Sequence, residues 1–112
     1  MSPAPIVELT DLTRRFGALT AIDRLNAEWE SKGVRLLKGI ESDILADGAL
    51  DYDDDLLSEF EFIVASVHSR FKMDKDAMTK RICRAVENQW TTVLGHPTGR
   101  LLLLREPYAL DM

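Results

Sequence analysis

Three short apolar runs recur along the chain, and each has the length and composition of a buried β-strand. They cover residues 34–40, 62–67 and 91–94. A stretch with helical periodicity lies between each run and the next. Strands that alternate with helices in this way predict an α/β fold with a parallel sheet. The carboxyl ends of parallel strands gather at one rim, where proteins of this class bind their ligands.

The spacing of apolar positions outside these runs predicts three helices. They are expected over 19–32, from 53 or 54 to 60, and over 74–88. Asp53 or Asp54 is the expected N-cap of the second helix, and Asp74 that of the third. Gly33 is the expected C-cap of the first helix. An Asp-Gly pair at 47–48, between apolar neighbours, indicates a tight turn.

The third predicted helix carries one apolar stripe. Met78, Ile82 and Val86 stand four residues apart and are expected to face the core. Cys83 lies beside the stripe, where a small apolar residue is expected to be buried. It is the single cysteine of the chain, which excludes a disulfide framework and favours a reducing, cytoplasmic setting.

Composition limits the class of protein. The chain has 112 residues, which suits one small domain or a piece of a larger one, and 46% of them are apolar, which is enough for a core. The formal charge of −5 argues against a chain that coats nucleic acid by itself. The start of the chain does not have the pattern of a signal peptide. The longest apolar run, Leu101–Leu104, is too short to span a membrane, so no membrane partner is expected.

Three residues of the kind that bind metals end or follow the apolar runs: Glu41, His68 and His96. Each has an ordinary alternative, because a glutamate past a strand can face solvent and a histidine can be satisfied by hydrogen bonds. Asp43 could share the task of Glu41 or be a solvated neighbour. The coincidence of the three at equivalent points of successive units predicts a zinc, manganese or iron site at the rim.

Three further residues have side chains suited to a phosphate or substrate. Arg100 follows His96 closely, and its forked guanidinium matches phosphate oxygens. Ser69 and Arg70 directly follow His68 and could act similarly. For Arg70, a solvated loop position is the competing interpretation.

Three motifs in order carry a resemblance to a known family. They are the stretch 33–52, with Gly-Ile-Glu-Ser-Asp-Ile-Leu at its centre, Phe-Ile-Val-Ala-Ser-Val-His-Ser at 62–69, and Val-Leu-Gly-His-Pro-Thr-Gly-Arg at 93–100. Together they resemble the polymerase and histidinol phosphatase (PHP) domain attached to bacterial family X DNA polymerases. The similarity covers 21–112, which divides the chain into an unmatched segment, 1–20, and a partial PHP domain.

The resemblance implies a fold and a metal site. The fold would be part of a distorted (β/α)7 barrel related to the TIM barrel, with roughly three parallel β/α units in this chain. Glu41 corresponds to a carboxylate that bridges metals, and His68 and His96 to ligands of one metal that Glu41 shares. The family's other ligands come from an N-terminal His-x-His motif, a following Asp and His, and a C-terminal Asp-x-His motif, none of which this sequence contains. The chain is therefore expected to hold one divalent ion at most, Mn²⁺ or Zn²⁺.

The resemblance also implies a function, with an alternative beside it. The chain would be a segment of a metal-dependent phosphoesterase, a 3′-5′ exonuclease that processes DNA ends in repair, and catalytically incomplete alone. Its partners would be DNA ends, bound by the parent domain, and other copies of itself, through open sheet edges. The alternative is a non-catalytic remnant or interaction module that pairs with another chain.

Overall fold

The computed structural model describes residues 15–112, with side chains described from residue 21. The chain divides into two compact units, 1–37 and 38–112, and each is described by itself. The predicted boundary of the PHP-like region, after residue 20, stays a prediction, because the unmatched segment 1–20 lies outside the part with described side chains.

The first unit contains helix α1, Arg15–Trp29, followed by a 3₁₀ turn, Glu30–Lys32. Gly33 ends the turn in the left-handed conformation, with φ at +69°, and its N–H donates to the Glu30 carbonyl at 3.0 Å. The predicted C-cap at Gly33 is therefore confirmed. The regular helix starts four residues earlier than the predicted range and ends at Trp29, because the last turn tightens to 3₁₀ geometry.

The first predicted strand, 34–40, is wrong in its position. Strand β1 is Gly39–Asp43, five residues further on. The side-chain amide of Asn26 forms hydrogen bonds with both backbone groups of Leu36. It donates to the carbonyl at 2.8 Å and accepts from the N–H at 2.7 Å. A side chain thus satisfies the backbone groups that a strand would have offered to a neighbour. Leu37, in the same stretch, is 57% exposed.

The second unit is built on a three-stranded sheet in the order β1-β2-β3. Strand β2 is Phe62–Ser66 and β3 is Val93–Leu94, and both neighbouring pairs are parallel. Backbone hydrogen bonds at the ends of β3 extend its pairing, since Gly95 donates to the Ala65 carbonyl at 2.9 Å. The predicted α/β class with parallel, adjacent strands is confirmed.

Two helices connect the strands, and their starts lie where the sequence predicts them. Helix α2, Asp54–Leu57, is capped by Asp53, which accepts from the Leu56 N–H at 2.9 Å. Helix α3, Lys75–Glu87, is capped by Asp74, which accepts from the Ala77 N–H at 2.8 Å. α2 is shorter than the predicted helix and ends three residues before its predicted end. The tight turn at 47–48 is confirmed, because Gly48 has φ at +88° and its N–H donates to the Leu45 carbonyl.

The core lies on one face of the sheet, where alternate strand residues meet α3. Its buried members are Ile44, Leu50, Leu57, Ile63, Ala65, Val67, Met78, Ile82 and Ala85. Two expectations for α3 are wrong, because Val86 is 50% exposed and Cys83 is exposed. Positions four apart drift around a helix of 3.6 residues per turn, so the buried stripe moves from Ile82 to Ala85.

The segment after β3 exposes an apolar loop. Leu102 is 76% exposed and Leu104 is 85% exposed, and the loop is closed by an antiparallel bridge between Leu101 and Arg105. Self-association through this surface or through the sheet edges stays a prediction. No helix among the described residues has both the length and the apolar character needed to cross a membrane.

The core assignment makes a stability prediction that compares two deletions of one methylene. Ile63 is 1% exposed, and Ile63→Val is expected to lower the free energy of unfolding by about 0.5–1.5 kcal/mol. The exposed Leu102→Val is expected to change it by less than about 0.5 kcal/mol. Urea denaturation of the chain and both variants measures the difference. An equal loss in both variants would contradict the assigned core.

Candidate metal centre

Glu41 lies in the middle of β1, on the face of the sheet opposite the core. Alternation along the strand buries Ser42 and Ile44 on the core face and places Glu41 and Asp43 together on the other. The carboxylate of Glu41 is 49% exposed. The strand therefore presents two acidic side chains, spaced by two residues, to one side of the rim.

The two histidines extend from loops rather than from the strands themselves. His68 stands two residues after the end of β2, and His96 two residues after the end of β3. The sequence predicts that Glu41 lies at the same backbone level of the sheet as His68 and His96. This expectation is wrong, because the register partner of Glu41 on β2 is Val64, four residues before His68. Glu41 lies inside its strand rather than after it because β1 starts later than predicted. The three residues therefore meet through the reach of their side chains, not through equivalent backbone positions.

The backbone around His96 is tightly constrained. His96 has φ at +24°, an uncommon value for a residue with a side chain, and its carbonyl accepts from the Gly99 N–H at 2.9 Å. Pro97 occupies the second position of this turn, where its fixed φ is favourable. Gly95 packs against β2 so closely that a Cβ there would collide with Ser66 Oγ and lie 2.8 Å from Val64 Cγ1.

The side chains of Glu41, His68 and His96 converge on one point. Glu41 Oε1 lies 3.2 Å from His68 Nε2 and 3.5 Å from His96 Nε2, and the two Nε2 atoms are 3.2 Å apart. Among the described residues, these three form the one group of three or more histidine, cysteine or acidic side chains whose ligand atoms gather closely enough to hold a metal. The three predicted ligands are therefore brought together.

The donor set and its spacing fit a divalent metal ion. Ligands at about 2.0–2.1 Å around a tetrahedral zinc stand about 3.3–3.4 Å apart, which is close to the three separations here. Two imidazole nitrogens and a carboxylate oxygen also repel one another when their lone pairs face a common point, unless a cation or a shared proton lies between them. The rings of His68 and His96 are tilted by 51°, with centroids 5.0 Å apart, so neither ring blocks the other.

Asp43 sits behind His68. Its Oδ1 is 2.5 Å from His68 Nδ1. An ionised carboxylate only accepts, so in the neutral imidazole Nδ1 carries the proton and Nε2 keeps the lone pair that faces Glu41 and His96. The sequence left the role of Asp43 open, and the signal that favours it is its spacing of two residues from Glu41 on one strand.

The predicted phosphate-binding residues are not joined to this centre by any described contact. Ser69 and Arg70 are exposed, and each gives its backbone carbonyl to the guanidinium of Arg81. Arg70 also has a left-handed backbone, with φ at +53°, and lines a separate cavity with Phe71. Arg100 is exposed, four residues after His96.

Arg81 is a residue near the site that the sequence did not predict. It lies in the middle of α3 with 2% of its surface exposed. Arginine is rarely buried without an acidic partner, so the pattern of the helix predicts an exposed side chain at this position. No signal in the sequence alone marks it as buried.

Comparison with known proteins finds sequences similar to this chain. It is 47% identical over 91 residues, or 81% of its length, to the DNA polymerase/3′-5′ exonuclease PolX of Bacillus subtilis. Over this stretch the chain is similar to PolX. The predicted resemblance to a bacterial family X DNA polymerase is thus confirmed. No protein-family model matches the chain.

Proteins described as phosphatases are also similar to this chain. It is 31% identical over 70 residues to a probable phosphatase of Caldanaerobacter subterraneus subsp. tengcongensis, and 33% identical over 70 residues to one of Thermoanaerobacter sp. (strain X514). Both matches cover 59% of the chain. The chain spans 16% of the length of PolX and 28–29% of these two phosphatases.

The close approach of Gly95 to β2 makes a prediction about the loop that carries His96. Gly95→Ala is expected to lower the free energy of unfolding by about 1–3 kcal/mol, because the new methyl group collides with Ser66. In a Ser66→Ala background the same change is expected to cost less, since the hydroxyl is gone while the contact with Val64 remains. Denaturation of the four proteins measures the coupling. Equal costs in both backgrounds would refute the close approach.

Proposed function

We propose that this chain is a segment of a metal-dependent phosphoesterase of the PHP type, in which Glu41, His68 and His96 hold one divalent ion, Mn²⁺ or Zn²⁺. The observation that carries the proposal is the convergence of one carboxylate oxygen and two imidazole nitrogens to within 3.2–3.5 Å of one another. The similarity to a polymerase/exonuclease and to probable phosphatases supports the same class of reaction.

Each residue of the centre has a separate task in this proposal. Glu41 supplies a negatively charged oxygen between the two histidines, which supply neutral nitrogens. Asp43 holds His68 in the tautomer whose Nε2 is free to bind, as carboxylates commonly do behind metal-binding histidines. The chemistry that such an ion supplies when bound is Lewis acidity toward a phosphoryl oxygen.

The surroundings of the centre suggest how a phosphate ester would be held. Ser69, Arg70 and Arg100 are exposed and lie within four residues of His68 or His96 along the chain. We assign them to the binding of phosphate oxygens, with Arg100 best suited to a two-pronged contact. The net charge of −5 makes the chain a poor binder of DNA by itself. Other parts of the parent protein would therefore bind the DNA end.

The chain is expected to be catalytically incomplete. The resemblance implies that a whole domain assembles further metal ligands from His-x-His and Asp-x-His motifs, and both histidines of this sequence already belong to the centre. Metal sites that cleave phosphodiesters often use two ions to stabilise the attacking and leaving oxygens. The three-stranded sheet then corresponds to part of the (β/α)7 barrel, with β1 and β3 as the edges at which the barrel continues.

A second candidate role is that of a non-catalytic interaction module that pairs with another chain. The exposed leucines of the loop 101–104 favour it, because apolar residues gathered on a surface commonly mark contacts with proteins. This role requires no metal, so metal binding separates the two candidates.

The proposal predicts one metal site that depends on the triad. Titration with Zn²⁺ in a calorimeter is expected to show one site in the unmodified chain, and its loss in Glu41→Gln and His68→Ala. Glu59→Gln removes another exposed carboxylate, one outside the centre, and is the matched control, expected to bind as the unmodified chain does. A site that survives Glu41→Gln, or no site at all, would overturn the proposal and favour the interaction module.

The proposal also predicts the activity of the isolated chain. With Mn²⁺ and a labelled single-stranded oligonucleotide, no metal-dependent shortening from the 3′ end is expected, because one ion alone is held. A PolX preparation in the same assay is the positive control. Robust shortening that disappears in His96→Ala would contradict the incomplete site and indicate that a second copy of the chain supplies the missing ligands.

A further inference from the structure

Every N–H of the Arg81 guanidinium donates a hydrogen bond inside the protein. Nε donates to the Leu45 carbonyl at 2.9 Å, and Nη2 donates to the carbonyls of Ile44 at 2.5 Å and Ser69 at 3.2 Å. Nη1 donates to the Arg70 carbonyl at 3.1 Å and to Met73 Sδ at 3.4 Å. A guanidinium has five N–H donors, and these five contacts account for all of them.

The four carbonyls belong to two segments that carry the candidate centre. Ile44 and Leu45 directly follow Asp43, and Ser69 and Arg70 directly follow His68. A single nitrogen, Nη2, bonds to the first carbonyl after Asp43 and the first after His68. Arg81 thereby sets the separation of the two backbones that support the Asp43–His68 hydrogen bond.

Stability alone is a poor reason for this arrangement. Among the described residues no carboxylate pairs with Arg81, and burial lowers the pKa of its guanidinium, with the nearby Arg70 acting in the same direction and Tyr108 in the opposite one. A buried charge without an ionic partner is costly compared with an apolar side chain of similar size. A planar fork that joins two loops at fixed spacing, however, is a geometry that no apolar side chain provides.

We infer that Arg81 is a positioning residue of the metal centre, which joins the segments after β1 and β2 so that Asp43 orients His68 toward Glu41 and His96. The inference rests on the proposed metal site. It goes further by assigning the geometry of that site to a residue on α3 that contacts no ligand atom.

Arg84 provides a matched control on the same helix. Its Nη1 donates to the Asp47 carbonyl at 2.9 Å and pairs with the Asp47 carboxylate at 3.2 Å. It therefore holds the turn that follows β1 but makes no described contact with the segment after His68. A variant at Arg84 loses a contact between α3 and this turn without loss of the bridge between the two segments.

The test uses the 112-residue chain with Co²⁺ as a spectroscopic probe and Zn²⁺ in competition. Arg81→Met and Arg84→Met are first compared with the unmodified chain by circular dichroism. Arg81→Met is expected to remain folded, to bind Co²⁺ about 10- to 100-fold more weakly and to show an altered visible spectrum, as when the support behind a metal ligand is removed. Arg84→Met is expected to keep the affinity and the spectrum. A loss of stability alone would leave the spectrum of the folded, loaded protein unchanged.

Each remaining outcome decides the inference. A folded Arg81→Met with the affinity and spectrum of the unmodified chain would overturn it. If this variant is unfolded, all three proteins are measured in sucrose, which favours compact states. A variant that still fails to fold assigns Arg81 to global stability and also overturns the inference. If the unmodified chain binds no Co²⁺, the proposed metal site itself has failed, and a result of that kind is recognised before any variant is compared.

Discussion

Parallel pairing on both sides of β2 is the constraint on which the rest of the second unit depends. It aligns β1, β2 and β3 so that the loops after β2 and β3 leave at the same rim. Those loops carry His68 and His96, while the exposed face of β1 carries Glu41. The opposite face of the same strands buries Ile63 and Ala65 against α3. One sheet therefore separates an apolar core from a polar rim that carries the three candidate metal ligands.

The elements that the sequence predicts well are those whose signals are local. The N-caps Asp53 and Asp74 lie where predicted because capping depends on a side chain and the next three residues. That Leu36 lies outside a strand could not be predicted, since its backbone groups bond to the side chain of Asn26, ten residues away. The sequence predicts the convergence of Glu41 with the histidines from the coincidence of three ligand-type residues at the ends of successive apolar runs, although their backbone positions are not equivalent.

Other parts of the site were beyond local signals. In the sequence, Arg81 looks like a solvated residue of an amphipathic helix. Only the tertiary fold supplies the four backbone carbonyls that accept its hydrogen bonds and allow its burial. The spacing of four predicts that Val86 lies in the core, yet the helix turns it toward solvent. The sequence likewise leaves the role of Asp43 open, because its partner His68 is 25 residues away. In each case long-range contacts, rather than propensity, decide where the residue lies.

The precision of the candidate centre comes from its backbone supports. Gly95 brings the chain against β2, and the turn at Pro97 then holds His96 in an uncommon conformation. Strained conformations of this kind persist where the surroundings determine them strongly, and they are concentrated at functional sites. On the other side of the rim, Arg81 and Asp43 support His68. Two independent sets of contacts thus aim the two imidazoles at one carboxylate oxygen.

X-ray absorption spectroscopy of the zinc-loaded chain tests the central claim most directly, because it reports the atoms bound to the ion. The account predicts a shell of nitrogen and oxygen atoms at about 2.0–2.1 Å, with the outer-shell scattering of two imidazole rings. Bound zinc, and with it the imidazole scattering, should be lost in His96→Ala, as the site is in His68→Ala. A spectrum without imidazole scattering, or one that His96→Ala leaves unchanged, would contradict the assignment of Glu41, His68 and His96 as a metal centre.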